Sequence, residues 1–558
     1  MASIPTLFRT TSTLHVSNYP PHYTCVDSNS KSYPNQLQLL AKKSLESRAS
    51  SLLQSCSSFS RLTQIQAHII RNSLQQNHFL ASRLLSSCFT LGCYSYASRI
   101  FGQLLSPDAF LFNAMIKGFA SAGFHREVLH FYCMMLDYSY SFPSKFTFPL
   151  ALKACSKLAS IVEGRALHGH VLKLDHSTDI FIQTALVDLY GSCCEAEDAR
   201  KVFDRMTTRD VVAWNAMVSA YVRSDSILLA EEMFEKMPVR NVNSWTMMIG
   251  GLLDLGDSRR ALTTFHRMQL HGVKADKMAI VTILSAIADL GCLSSGKWVH
   301  KYIERNVIQI DVFVGTALID MYSKSGSIKD AKLVFHAMRS KNTSCYNAMI
   351  FGLAVHGLGE EAIRVFEEQR GSKMEIDDVT MIAVLTACSH SGLVEEGLRC
   401  FKMMKQEYDI YPKIKHYGCL IDLLGRAGRF MEAKKIVDSI QVDSVVLGTL
   451  ASACRIHGNI ELADELSTRI SDLDPEYTGF LVWKANLHAA KNEWEEAAVF
   501  RRWMKEKGIV KGAGCSWIEF GDKVHWFLAG DYSHPRSSEI YSKLDELHNV
   551  IKLMEMEV

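Results

Sequence analysis

The side chains most able to do catalysis or bind a metal are 15 cysteines and 21 histidines in a chain of 558 residues. Zinc-assisted deamination of a nucleobase needs a His-x-Glu and a Pro-Cys-x-x-Cys: three ligands for the ion and a Glu to move protons. One His-x-Glu is present, His125 to Glu127, just ahead of a helix of the repeat pattern described below, and no Cys-x-x-Cys occurs. Solvated loop chemistry is the better reading of that triplet. Cys193 and Cys194 are adjacent, which does not suit two ligands of one ion, and the scattered thiols read as small buried hydrophobes in a reducing compartment. Cys515, His525 and His534 lie in a segment whose folding could bring them together, but structural or surface roles are favoured. His68, His168 and His300 recur at one position on an apolar helix face, where packing is the expectation. With no nucleophile elbow, phosphate loop or paired carboxylates, the sequence offers no catalytic residue, no metal site and no cofactor.

The elements that would position any functional side chain are set by internal repetition. "ARKVFDRM" from Ala199, "AEEMFEKM" from Ala230, "ALTTFHRM" from Ala261, "AKLVFHAM" from Ala331 and "AIRVFEEQ" from Ala362 each place Phe four residues after a small residue. Met follows three further on in four of them, and Gln369 takes its place in the fifth. That spacing marks one face of a helix. In the same register stand Ala97, Val128, Gly164, Ala199, Ala230, Ala261, Gly296, Ala331, Ala362, Gly397 and Ala433, separated by 31, 36, 35, 31, 31, 35, 35, 31, 35 and 36 residues. A second motif ("VVAWNAM", "VNSWTMM", "VFVGTAL", "TSCYNAM") opens another helix ahead of the small residue. Two helices per unit, stacked so that each buries its neighbour's apolar face, make an all-α solenoid.

Bulk properties agree with an elongated array. At this length a single compact core is not expected. The formal net charge of +2 argues against a polybasic binder driven by counterion release, and leaves open one that reads bases with neutral side chains. No apolar run approaches the length of a membrane span. The first 26 residues hold no Asp or Glu, one Arg and many hydroxyl residues, the composition of an organelle transit peptide. At the other end, Gly514 to Pro535 alternates polar and apolar residues around Gly521-Asp522, the pattern of a β-hairpin.

The units lack the Trp, Gly-Tyr and Pro signature of tetratricopeptide repeats. They resemble the pentatricopeptide repeats (PPR) of plant organelle RNA-binding proteins, specifically the kind that mixes P, L and S units. "GRALH" and "GKWVH" match the L-type Gly-x-x-x-His. "DLYGSCCEAEDA" and "DMYSKSGSIKDA" match S-type units, and "KHYGCLIDLLGRAGRFMEA" the closing one. "SACRIHGNIELADEL" and "AKNEWEEAAVFRRWMKEKGI" resemble the degenerate E motifs, and the hairpin the E+ extension. The resemblance implies a right-handed superhelix of helix-turn-helix repeats with a small E+ module containing the β-hairpin. It divides the chain into a transit peptide and disordered N-terminus (1–44), a repeat array (45–443), two E repeats (444–511) and the E+ extension (512–558).

The same resemblance implies one nucleotide per repeat, read by the fifth residue of the first helix with the last residue of the unit. The pairs are Ser82 with Asp108 (weakly G), Asn113 with Ser144 (C), Thr184 with Asp210 (G), Asn215 with Asn241 (pyrimidine), Thr246 with Asp276 (G), Thr316 with Asn342 (A) and Asn347 with Asp377 (U). Pro149, Val281, Ile382 and Gly418 stand at reading positions without a hydrogen-bonding side chain, so little discrimination is expected there. Phe79, Phe110, Phe146, Phe181, Val212 and Phe313 fit the second position, an apolar wedge between bases, whereas Asn243 and Ser344 depart from it. Read 5′ to 3′, the expected target is G-C-n-G-Y-G-n-A-U-n-n.

In this family the hairpin module joins the array to a cytidine deaminase domain, and the sequence stops at Val558 before one. The resemblance therefore implies a non-catalytic recognition factor for C-to-U editing in a mitochondrion or chloroplast. It would bind single-stranded organellar RNA and work with a deaminase-bearing DYW-type PPR protein in trans and with multiple organellar editing factor proteins. The edited cytidine would lie about four nucleotides 3′ of the last repeat's base. RNA binding for stabilisation, splicing or translation is the alternative, a protein-binding scaffold a second, and an enzyme acting alone ranks last.

Overall fold

The computed structural model describes residues 33–138, 141–372, 374–440, 442–474, 478–490, 492–506, 515–520, 523–528 and 532–555. The proposed leader, residues 1–26, and the expected hairpin turn at Gly521-Asp522 lie outside these. Among the described residues, 28 helices follow one another in pairs, from Tyr33–Gln54 to Trp494–Glu506. An antiparallel strand pair, β1 (Cys515–Phe520) and β2 (Lys523–Leu528), and a terminal helix, Ser537–Glu555, come after them. The first helix begins upstream of residue 45, where the sequence places the start of the array.

The chain forms two compact units, Met1–Leu255 and Gly256–Val558. Within each, first helices pack directly on the first helices of neighbouring hairpins, and second helices pack against the first helix of their own hairpin and the next. The repeated small residues are the reason this packing closes. Ala97, Ala199, Ala230, Ala331, Ala362 and Ala433 are fully buried, and Phe203, Phe234, Phe265, Phe335 and Phe366 are buried beside them. Met206, Met237, Met268 and Met338 complete the filling. Gln369, in the Met place, is likewise buried; its Nε2 donates to the Glu375 carbonyl at 3.0 Å.

Second helices are tied to each other at their exposed faces by ion pairs between adjacent hairpins. Examples are Arg165–Asp198 (3.2 Å), Lys297–Asp330 (3.3 Å), Arg399–Glu367 (3.1 Å) and Arg469–Asp438 (2.7 Å). Exposed pairs of this sort contribute about 0–1 kcal/mol each, so they align neighbours more than they hold the fold. Thirteen of the cysteines among the described residues are free thiols. Burial first of all pushes the Cys155, Cys388 and Cys400 thiols up to about 12. No helix is long and apolar enough to cross a membrane among the described residues.

Candidate nucleic-acid interface

The fourth residue of a first helix fixes which way the second and fifth face. Trp214, Trp245 and Tyr346 meet Phe203, Phe234 and Phe335 of the preceding second helix edge to face, at 5.0, 4.9 and 5.2 Å between ring centroids. Cations cover the other side of the same Phe rings: Arg209 at 4.9 Å, Arg240 at 5.0 Å and Lys341 at 4.9 Å. With 100° per residue, anchoring the fourth residue inward carries the second and fifth, three apart, to one common side.

The second position is an exposed apolar row. Phe79, Phe110, Phe146, Phe181 and Phe313 are 53 to 76% exposed, and Val212 is 61% exposed. Large rings left in water at regular spacing are not explained by folding, which would bury them. Arg83 lies over Phe79 at 5.1 Å and Lys145 over Phe146 at 5.4 Å. Three further members escaped the sequence reading: Met278, Val379 and Val445, each second in its first helix and exposed. Counting from the capping residue finds them. Asn243 and Ser344 are exposed polar interruptions of the row.

The last residue of a unit is the N-cap of the next first helix, a role the sequence reading did not assign. Asp108, Asp210, Asn241, Asp276, Asn342 and Asp377 accept from the backbone N–H three residues on, at 2.7 to 3.1 Å. Asp, Asn or Ser before an apolar run is the sequence signal for this. Ser144 departs from the pattern: that helix starts later, at Thr147, and the Ser144 hydroxyl instead accepts from the Phe146 N–H at 3.3 Å.

In three hairpins the last residue meets the fifth residue of the preceding first helix. Asn347 Nδ2 donates to Asp377 Oδ1 at 3.2 Å, Asn215 Nδ2 to Asn241 Oδ1 at 3.5 Å and Asn113 Nδ2 to Ser144 Oγ at 3.5 Å. The bonds to Asp377 converge on Oδ1 and leave Oδ2 open; those to Asn241 leave its Nδ2 open. Asn347 Oδ1, Asn215 Oδ1 and Thr184 Oγ1 are buried without a hydrogen-bond partner. A buried polar atom in that state costs about 1–3 kcal/mol, which an incoming donor would relieve. Thr246 and Thr316 instead donate back to the Val242 and Val312 carbonyls at 2.9 and 2.7 Å. Ser82 is buried, and its partner Asp108 also takes a 2.8 Å hydrogen bond from His78. Pro149, Val281 and Ile382 occupy equivalent places with no polar side-chain atom, and Gly418 has no side chain.

The L-type Gly-x-x-x-His motifs couple hairpins on the opposite helix layer. His168 Nδ1 bonds Tyr190 Oη at 2.8 Å and His300 Nδ1 bonds Tyr322 Oη at 2.9 Å, each from a second helix to the next first helix. Burial lowers the pKa of both imidazoles. Gly164 and Gly296 lie so close to Leu189 and Met321 that an added Cβ would sit 2.6 and 2.2 Å from them. Asn72, one turn on, donates to the His68 carbonyl at 2.7 Å and lies 3.4 Å from its Nδ1. His125 opens the second helix His125–Asp137 rather than preceding it, so Glu127 lies in the first helical turn, a position that favours a carboxylate. His525 and His534 do meet, Nδ1 to Nε2 at 2.8 Å, yet no group of three potential metal ligands occurs among the described residues.

Successive two-helix units, several of which set polar fifth and last residues near an exposed apolar second residue, define a helical-repeat protein. The PPR repeat model matches residues 110–140, 184–211, 212–242, 243–273, 316–343, 344–368, 379–408 and 415–445. The E motif model matches residues 457–519 and the E+ motif model residues 524–549. A chloroplastic pentatricopeptide repeat-containing protein of Arabidopsis thaliana is 39% identical over 526 residues, 94% of this chain and 95% of the relative. Another from the same plant is 38% identical over 490 residues, 88% of this chain and 92% of that one. The solved structure of PPR10 from maize superposes with a TM-score of 0.50 at 14% identity, covering 86% of this chain and 77% of the other, which shows a shared fold. The chain belongs to the pentatricopeptide repeat family, in its E and E+ subgroup.

Proposed function

We propose that the protein is a sequence-specific binder of single-stranded organellar RNA that marks a cytidine for C-to-U editing and recruits a deaminase in trans. The observations that carry this reading are the recurrence of exposed apolar second residues from hairpin to hairpin and the polar fifth/last pairs, hydrogen-bonded at Asn113–Ser144, Asn215–Asn241 and Asn347–Asp377. A wedge accepts the face of any base, while the pair contacts one base edge. The Asn347–Asp377 pair offers acceptors without a hydrogen-bond partner, Asn347 Oδ1 and Asp377 Oδ2, suited to a base with a ring N–H beside a keto oxygen. The Asn215–Asn241 pair adds an amide donor, suited to an amino-bearing pyrimidine. The array from residue 45 to 443 would read the RNA.

The E segment, taken from the sequence as 444–511, and the E+ extension, 512–558, would dock a deaminase-bearing DYW-type PPR protein. Multiple organellar editing factor proteins would brace the L-type units. Within these 558 residues there is no Cys-x-x-Cys to build a deaminase zinc site. The chloroplastic designation of two relatives, matched over 95% and 80% of their own length, supports a plant organelle as the site of action. Transcriptome sequencing of plants lacking the protein tests the reading. Loss of conversion at one or a few cytidines downstream of G-C-n-G-Y-G-n-A-U-n-n is expected. Unaltered editing with changed transcript ends or introns would replace it with a stabilising or splicing role, and no RNA phenotype would favour a protein scaffold.

A further inference from the structure

We infer that a third side chain, the residue three positions into the next first helix, sets base discrimination at the asparagine-reading hairpins; this rests on the base-reading role proposed above. The residue is buried in every hairpin from Leu111 to His416. At the asparagine-reading hairpins it carries a hydroxyl. After Asn113, Asn215 and Asn347 stand the hydroxyls Thr147, Ser244 and Thr380, whereas Thr184 and Thr246 are each followed at that position by an alanine, Ala213 and Ala279. The non-reading Pro149 and Val281 are followed by Ile182 and Val314.

The hydroxyls are not idle core atoms. Thr380 Oγ1 donates to Asp377 Oδ1 at 2.8 Å and accepts from the Asp377 N–H at 3.3 Å. Ser244 does the same with Asn241, at 2.9 and 3.2 Å. In both, the Oδ1 so held is the atom that accepts Nδ2 of the reading asparagine. The amide is thereby turned so that its own Oδ1, buried and without a partner, is the atom left for a base. Thr147 works by a shorter route: its Oγ1 donates to Asn113 Oδ1 at 2.6 Å and bonds Ser144 Oγ at 3.2 Å. A primary amide has two chemically opposite ends that differ little in shape. Without a third group to fix which end faces out, it pairs indifferently with donor and acceptor edges. Thr147, Ser244 and Thr380 are positioning residues that make this choice. Threonine, whose single hydroxyl has no such ambiguity, is followed there by alanine after Thr184 and Thr246 and by Cys345, 3.1 Å from the hydroxyl, after Thr316.

The test uses the full chain and four RNAs that differ only at the ninth base of G-C-n-G-Y-G-n-A-U-n-n, the nucleotide assigned to Asn347. Dissociation constants are measured for the parent, Asn347→Ala, Thr380→Ala and Thr380→Ser. The parent should prefer U at this base, and Asn347→Ala should abolish the preference. Thr380→Ala should reduce the ratio of affinities for U and the other bases by about tenfold, the scale of one well-formed base contact. Thr380→Ser should restore the ratio, and preferences at the other nucleotides should stay as in the parent. Because the readout is a ratio within one protein sample, a loss of folded fraction cancels. If Asn347→Ala abolishes the preference but Thr380→Ala leaves the ratio unchanged, even with uniformly weaker binding, the positioning role is wrong while base reading stands. If the parent shows no preference at the ninth base, both fall.

Discussion

Replacing Phe313 by alanine separates binding from folding more cleanly than any other single change. Its ring is second in the helix Val312–Lys324 and 76% exposed, while Phe335, one hairpin core away, is 1% exposed. Since the Phe313 ring is already in water, its loss should shift stability by no more than about 0.5 kcal/mol. Phe335→Ala, by contrast, should cost about 3–5 kcal/mol through the cavity it leaves. If the Phe313 ring lies between two bases of bound RNA, its removal costs about 1–3 kcal/mol of binding, or about 5- to 150-fold in Kd. Fluorescence anisotropy with a labelled single-stranded RNA gives the Kd, and a thermal melt of the same sample gives the stability. A Kd within about twofold of the parent, with the melt unchanged, would refute the wedge argument for the whole row. A large drop in melting temperature would mean instead that the ring is part of the core.

Three other expectations follow from the packing and the titrating groups. Gly191→Ala would place a Cβ 2.6 Å from Ala220 Cβ and 2.9 Å from Ala220 Cα; backbone cannot step aside, so urea unfolding should show a loss of about 1–3 kcal/mol, and an unchanged midpoint would contradict the close approach of these two first helices. His168, His170, His266 and His300 are held below the ordinary histidine value of 6.5 chiefly by burial. Below that pH the unfolded chain binds protons that the folded chain refuses, so stability should be level above it and fall as the solution is acidified; His300→Gln should lessen the slope, and an identical slope would show that His300 does not contribute. In timed alkylation followed by mass spectrometry, exposed Cys194 should be modified well before Cys155, Cys388 and Cys400, whose thiols burial raises to about 12. Equal rates would contradict the packed core.

The register of the array was legible because it is enforced by volume. A small residue, a Phe and a Met at fixed spacing have to meet the next hairpin, so the pattern repeats in the sequence wherever it repeats in space. The wedge row was partly legible: aromatic members stood out, but Met278, Val379 and Val445 look like core residues until the cap is located. The pairing of Asn347 with Asp377 was accessible only through resemblance, because a 30-residue separation carries no local signal. The hydroxyl position was hidden for a different reason. Thr147, Ser244 and Thr380 are small polar residues near a helix start, and for Ser244 and Thr380 a capping box already accounts for the residue. Only the geometry shows that the Oδ1 bonded by the Ser244 or Thr380 hydroxyl also accepts from a neighbour's amide.

The central claim, that each hairpin of the array contributes its own reading of one base, is tested most directly by the affinity of the full chain for an RNA library. The library would carry every single-base change in G-C-n-G-Y-G-n-A-U-n-n. The account predicts losses at the bases assigned to Asn113, Thr184, Asn215, Thr246, Thr316 and Asn347, a lesser loss at that of Ser82, and near-indifference at those of Pro149, Val281, Ile382 and Gly418. Equal losses at both sets, or indifference throughout, would contradict it.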